Sequence, residues 1–391
     1  MKILWIAGWY PNQTEPFAGD FVQRHAQAAG IYHDVTVLFV MRDAHSLVTN
    51  QTAVEESVHG RLKERKIYYA LGIKPAMISR VISYLKYQSL LRKEIKRYIA
   101  ENGKPDLIHF YIGMRTNVVG KWITGLNIPY VVSEQWTGFL KEGKPHFSEL
   151  PSLYRKGWFS LMRQASGVHV VSNYLGNALQ QLTGRDLPLT IIPNVVNTDI
   201  FFQERKEESK ILKLVFVTSQ LDYQKNTTDI LYALSLLKQK GMDFTLDVFG
   251  PFQEEYIRLS VDLNIGNEVI IHGEKKQQEL AVYFNRADAL IIYSRFETFG
   301  CVIIEANACG TPVVASDIPV LHENIIDGIN GIFVRSEDRI ALAERLEWFA
   351  ANRTIFNRGE IAAATAERYN YEKVGEMFAH WYNRITAKTD R

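Results

Sequence analysis

Two glutamates separated by seven residues stand out in Arg295-Phe296-Glu297-Thr298-Phe299-Gly300-Cys301-Val302-Ile303-Ile304-Glu305. The residues just before them, 289–293, form an apolar run of strand type, and 300–308 has a helical pattern closed by Gly310 with Pro312 just beyond. Open α/β sheets bind ligands at the carboxyl ends of their strands, so the intervening turn faces a site. Gly300 at the helix start leaves the N–H groups of Gly300, Cys301 and Val302 unshielded. Together with the helix dipole they make an anion site that needs no metal. Glu297 precedes the helix and Glu305 lies about a turn and a half inside it. One carboxylate can meet a group beyond a bound phosphate while the other meets a ribose. A plainer reading makes Glu297 a charge matched to the dipole and Glu305 part of a solvated face. Glu305, however, sits among Val302, Ile303, Ile304 and Ala306, where an unpartnered carboxylate is costly.

Such groups need a sheet to hold them. Apolar runs at 3–7, 35–40, 107–110, 130–133, 168–171 and 190–192 alternate with helical patterns. Further runs follow at 214–218, 245–249, 269–272, 289–293 and 313–316. They are apolar throughout rather than alternating, the pattern of parallel strands buried on both faces. The fold class is therefore α/β, doubly wound. A chain of 391 residues exceeds one ordinary core, so two domains are expected. The charged run 203–210 reads as a linker, dividing a first domain, 1–202, from a second, 203–370. The aromatic-rich helical pattern from Tyr371 onward, within 371–391, is expected to pack back on the first domain.

Composition excludes several classes. A net charge of +2 is not that of a nucleic-acid binder, and no apolar run reaches the ~18 residues that span a bilayer. The start, Met1 to Gly8, reads as a buried strand rather than a secretory signal. The two cysteines, Cys301 and Cys309, fall on one helix pattern, where a disulfide is implausible, which suits a reducing cytoplasm. The histidines show no metal-ligand spacing and no Asp-x-Asp triplet occurs, so no metal or other cofactor is expected.

The glutamate pair, continued by Ala306-Asn307-Ala308-Cys309-Gly310-Thr311-Pro312-Val313-Val314-Ala315-Ser316 and by Glu323-Asn324-Ile325-Ile326-Asp327-Gly328-Ile329-Asn330-Gly331, resembles the signature of glycosyltransferase family 4. The resemblance implies a GT-B fold, two Rossmann-like parallel-sheet domains facing a cleft. It also implies a retaining, metal-independent transferase that uses a nucleoside-diphosphate sugar. It assigns Glu297 to the donor sugar and Glu305 to the ribose, with Phe299 and the Gly300, Cys301 and Val302 amides in the donor site. Val217 to Asn226 resembles the family's loop that supplies an arginine and a lysine to the diphosphate. Lys225 matches the lysine, while Gln220 stands where arginine is expected and brings no charge. Arg295 and Arg24 are cations that could compensate. Gly19, at the start of a helix, matches a glycine near the donor phosphates, though a conformational role is the alternative. Gln135 stands where relatives carry a histidine, and an amide cannot titrate near neutral pH. His109 is a core residue or a ligand.

The acceptor is expected to be a glycan or a lipid-linked sugar. A basic helical stretch over 74–100 fits either an anionic membrane surface or an ordinary packed helix with a solvated face. The competing function is a non-catalytic sugar-nucleotide binder or partner subunit, for which Gln220 and Gln135 argue. Nucleotide type, sugar and acceptor are open.

Overall fold

The computed structural model describes residues 1–43, 52–71, 76–112, 117–218, 222–251 and 254–389. Gln220 and Lys74 therefore lie outside the described residues. The chain divides into two compact units, Met1–Val195 with Tyr371–Arg391, and Val196–Asn370.

Unit 1 is built on strands β1 (Lys2–Ala7), β2 (Asp34–Arg42), β3 (Thr52–His59), β4 (Leu62–Tyr69), β5 (Leu107–Tyr111), β6 (Tyr130–Glu134), β7 (Gly167–Val170) and β8 (Leu189–Ile191). They form one sheet in the order β3-β4-β2-β1-β5-β6-β7-β8, parallel except where β3 pairs antiparallel to β4. The apolar run Ile3–Ala7 is no more than 1% exposed because β1 lies mid-sheet with both faces covered. The hairpin β3–β4 carries none of the apolar runs that mark the other strands. Its strands, TAVEESVH and LKERKIYY, mix charged and apolar residues because β3 is a half-solvated edge.

The terminal helix Tyr371–Thr389 packs on the helix Asp20–Tyr32. A Cβ at Gly375 would sit 2.3 Å from the Ala28 carbonyl oxygen, so the two backbones touch where only glycine fits. Phe378, Trp381 and Tyr382 then enter the core beside Trp5 and Val22.

Buried polar groups thread that core. His169 Nε2 donates to the Ile192 carbonyl at 2.8 Å, which leaves its Nδ1 to accept from Ser133 Oγ at 2.6 Å. Ser133 then accepts from His109 Nε2 at 2.6 Å, and His109 Nδ1 accepts from Tyr382 at 2.7 Å. His109 is thus a core histidine, bonded through both ring nitrogens. A parallel chain runs from Gln135 Nε2 to the Tyr111 hydroxyl (2.5 Å), to His25 Nδ1 (2.5 Å), and from His25 Nε2 to the Pro193 carbonyl (2.8 Å).

Unit 2 carries β9 (Leu212–Val217), β10 (Phe244–Phe249), β11 (Val269–Gly273), β12 (Ala289–Ile292), β13 (Val313–Ser316) and β14 (Gly331–Val334). The order is β11-β10-β9-β12-β13-β14, all parallel. The four-residue β14 was not anticipated from its sequence. The charged run 203–210 is a strap rather than a free linker, which corrects the boundary. Asn285 accepts from the Glu204 amide at 2.8 Å and donates to the Phe202 carbonyl at 3.0 Å, and Lys206 pairs with Asp288. Phe201 is already buried against Phe284 in unit 2. The division accordingly falls at Val195/Val196, ahead of the charges.

The buried histidines make unit 1 acid-sensitive. Burial pushes His25 and His109 well below the usual value and His169 down to about 4. The folded state keeps them neutral while an unfolded chain titrates them near 6.5. Stability is therefore fully present above pH ~6.5 and is lost as pH falls toward 4, with roughly 3 kcal/mol attached to a fully realised shift such as that of His169. Urea unfolding followed from pH 7 to 4.5 should show a falling midpoint; a flat profile would contradict the neutral assignment.

Candidate functional site

In unit 2 the chain leaves β12 at Ile292, turns through 293–299 and enters the helix Cys301–Ala308. Gly300 caps that helix in the left-handed region at φ 85°, where a side chain is strained and a Cβ would press 2.8 Å from Ile303 Cδ1. The first N–H groups of such a helix have no partner within it and point along the positive end of its dipole.

The turn holds the carboxylate. Glu297 is 6% exposed, and its Oε1 accepts from Lys225 Nζ at 2.6 Å and from Ser294 Oγ at 2.9 Å. Ser294 is held in turn, its carbonyl accepting from Ser316 Oγ at 2.6 Å at the end of β13. Lys225 ends the short helix Asp222–Lys225, which follows β9, the strand next to β12. Two residues assigned separately to a sugar and a diphosphate are thus in direct contact.

Arg295 locks these pieces together. Its backbone N–H donates to the Gln224 carbonyl at 2.8 Å. Its guanidinium donates to the Asp222 carbonyl at 2.7 Å, to Asn226 Oδ1 at 2.6 Å and to Glu337 at 2.8 Å. Gln224 returns a longer bond, 3.4 Å, to the Phe296 carbonyl. Arg295, a candidate cation to compensate for Gln220, is engaged here in clamping the lysine loop. Arg24 is likewise engaged, through Asp20 at 3.0 Å and the Val195 carbonyl at 2.9 Å.

A brace of asparagines lies behind the helix. Asn324 Nδ2 donates to the Phe299 carbonyl at 2.8 Å and Asn324 Oδ1 accepts from Tyr369 at 2.9 Å. Asn330 reaches the Asn324 carbonyl (2.9 Å) and Asn307 Oδ1 (2.8 Å). None of these was singled out for a role, although Asn307, Asn324 and Asn330 all fall inside the family-like segments. Phe299 is buried, while Cys301 and Val302 are half-buried at the helix mouth. Glu305 is 5% exposed inside the helix and is engaged in the fold. At the neighbouring strand ends His272 Nε2 lies 2.6 Å from Asp247 and stacks on Phe249 at 4.8 Å.

Gly19 and Gln135 belong to unit 1. Gly19 is in the left-handed region at φ 67°, and a Cβ there would lie 2.8 Å from the Trp9 carbonyl carbon, a backbone clash. The amide of Gln135 is used inside the fold, by Tyr111 and by a reciprocal pair with Asn194 at 3.0 and 3.2 Å. Among the described residues no group of three or more His, Cys, Asp or Glu is placed to hold a metal ion.

Two parallel α/β units, the second with a lysine–carboxylate pair at a glycine-capped helix, define the GT-B class. Comparison agrees: residues 22–200 match the family described as Glycosyltransferase Family 4, and 197–368 match Glycosyl transferases group 1. The chain belongs to the group 1 glycosyltransferases of the family 4 type. A Mycobacterium tuberculosis glycogen synthase is 29% identical over 55% of this chain and 56% of its own. A D-inositol 3-phosphate glycosyltransferase of Frankia alni is 37% identical over 23% of this chain and 22% of its own. The chain thus spans about half the length of the first relative it matches and less of the second. Among solved structures, sucrose-phosphate synthase of Thermosynechococcus elongatus superposes with a TM-score of 0.77 at 18% identity, covering 99% of this chain and 100% of that one. Anabaena HepE in complex with UDP gives 0.72 at 18% identity, covering 98% and 100%.

If Arg295 sets the lysine loop, Arg295→Met should weaken nucleoside-diphosphate affinity by about tenfold while Arg295→Lys retains part of it. Calorimetric titration decides; unchanged affinity in the Met variant would leave the clamp without a role in binding.

Proposed function

We propose that the chain moves a hexose from a nucleoside-diphosphate sugar to a glycan or lipid-linked acceptor, with retained anomeric configuration and no metal ion. The observation that carries this is the Lys225–Glu297 contact of 2.6 Å beside the Gly300-capped helix. Lys225 and the first helix amides would stabilise charge on the departing diphosphate, the electrostatic part of catalysis. Glu297 would position the donor sugar and Glu305 the ribose. The acceptor oxygen bonds to the anomeric carbon as the sugar–phosphate bond breaks, and the acceptor proton passes to the departing phosphate oxygen. No side-chain base is then required. The names of the relatives, a glycogen synthase and an inositol-phosphate glycosyltransferase, support a sugar transferase. Structures of HepE with UDP and with UDP-glucose support a nucleotide-sugar donor.

Without ligand, Glu297 neutralises Lys225, so an arriving diphosphate must take the lysine from it. Glu297→Gln should hold or raise affinity for a free nucleoside diphosphate, while transfer falls at least about tenfold. Lys225→Ala should weaken that affinity and cut transfer by ~100-fold or more. Calorimetry beside turnover, with the product anomer read by NMR and EDTA present, tests the set. An inverted product, loss of activity in EDTA, or parallel loss of binding in both variants would sink it. A non-catalytic binder is the second reading, favoured by the full engagement of the Gln135 amide within unit 1. Binding without turnover would establish it.

A cytoplasmic protein resting on an anionic membrane face is part of the same proposal. Among the described residues no helix is long and apolar enough to cross a bilayer. The helix Ala76–Asn102 instead exposes Val81 (59%) and Leu85 (60%) near a hollow of about 550 Å³ lined by Tyr84, Arg92, Lys93 and Lys96. Tyr84 packs on Tyr154, next to Leu153, which is 62% exposed. Lys86 is spent on the Ala70 carbonyl and Arg97 on Glu101, so the basic face is thinner than the sequence suggests. Anionic vesicles should sediment the protein at low salt and release it above ~0.5 M, where screening is short-ranged. Absence of low-salt binding would remove the membrane from the proposal.

A further inference from the structure

The loop between β1 and the helix Asp20–Tyr32 is internally fixed yet presents two large aromatics to solvent. Asn12, itself 5% exposed, accepts at Oδ1 from the Thr14 amide (3.1 Å), the Thr14 hydroxyl (2.7 Å) and the Glu15 amide (3.0 Å). Its Nδ2 donates to the Tyr10 carbonyl at 3.1 Å, its amide bonds the Glu15 carbonyl, and the Ala18 amide bonds the same carbonyl. The loop then closes on Gly19, whose backbone lies against that of Trp9. On this scaffold Trp9 remains 45% exposed and Phe17 42% exposed. Trp9 is steadied by Phe21, edge-on at 5.5 Å, which fixes one side of the indole while leaving surface on the other. Rigid aromatic faces of this kind bind at low entropic cost.

The surrounding charge limits what can lie on them. Residues 8–20 contain no lysine or arginine, but include Glu15 and Asp20 together with the side chains of Gln13 and Thr14. Among the described residues, Arg24 pairs with Asp20 at 3.0 Å and Lys66 with Glu55 at 3.1 Å. Gln13 also donates to Glu55, at 3.1 Å. An anionic acceptor group lying on Trp9 and Phe17 meets the exposed Glu15 carboxylate and no lysine or arginine of the loop itself. A pyranose ring finds aromatic faces, Trp9 and Phe17, on which to stack its own C–H face, and hydrogen-bond acceptors for its hydroxyls. We propose that Trp9 and Phe17 form a stacking platform for an uncharged glycan, the acceptor of the transferase. This rests on the transferase reading above and names the chemical class of its acceptor as a neutral saccharide.

The test separates the two claims. Wild-type protein and the Trp9→Ala, Phe17→Ala and Trp9→Phe variants are applied to an array of neutral and acidic glycans. Nucleoside-diphosphate affinity is measured on the same samples. Both residues are solvent-facing, so thermal midpoints should stay near wild type and confirm folding. Wild type should retain neutral glycans, the Ala variants should lose about tenfold or more of that binding, and Trp9→Phe should keep most of it. Nucleotide affinity should change less than about twofold throughout. Glycan binding unaltered in both Ala variants, or wild-type capture confined to acidic glycans or absent, would overturn the platform. Neither result touches the donor reading, which stands or falls on the nucleotide titration.

Discussion

The site in unit 2 depends on one constraint: Glu297 is almost wholly buried and cannot be left there as a lone charge. A carboxylate in that setting must be matched by a cation and further hydrogen bonds. Lys225 supplies the charge and Ser294 the second bond, and both must be delivered to one oxygen. Delivery from another strand end explains the rest of the local design. Arg295 fastens the Asp222–Lys225 helix by its backbone carbonyls, so the lysine arrives on a fixed support rather than a free loop. The asparagine brace holds the far end of the turn at Phe299. Conserving the pair's neutrality therefore requires bonds spread over three strand ends.

Unit 1 solves a related problem without charge. Three of its buried histidines, His25, His109 and His169, are each bonded at both ring nitrogens, in chains that end on main-chain carbonyls. Direction in such a chain is set at the carbonyl, which can only accept, and each donor upstream follows from it. The terminal helix closes this core, supplying Tyr382 to one chain and Phe378 and Trp381 to its walls. That dependence explains why residues far along the sequence belong to the first unit.

Much of this was legible beforehand. Central parallel strands such as β1 and β13 are continuous apolar runs, and burial on both faces writes that pattern directly. The β3–β4 hairpin was not legible by the same rule, since an edge strand alternates and mixes charges. The run 203–210 was misread because a charged segment looks like a linker whether or not its partners, Asn285 and Asp288, lie on one unit. Within the site, spacing alone located Glu297 and the Gly300 cap, and the family likeness supplied Lys225. It could not show that lysine and carboxylate would meet, nor that Arg295 would be consumed. Those facts depend on which strand ends are neighbours, and β9 beside β12 is a property of sheet order.

The glycines sharpen the difference between shape and chemistry. Gly300 would clash with the tip of Ile303, a flexible end that can give way, so its left-handed φ is the stronger demand. Gly19 would clash with the backbone of Trp9, which cannot move without shifting β1. The first glycine thus serves the helix mouth, and the second serves the seating of a loop. That seating is what holds Trp9 outward against the hydrophobic tendency to bury it. A residue whose sequence context suggests anion approach has, in this fold, an immediate structural task as well. The two are compatible, because a loop pressed against a helix start by a glycine leaves the helix amides uncovered by any side chain at that position.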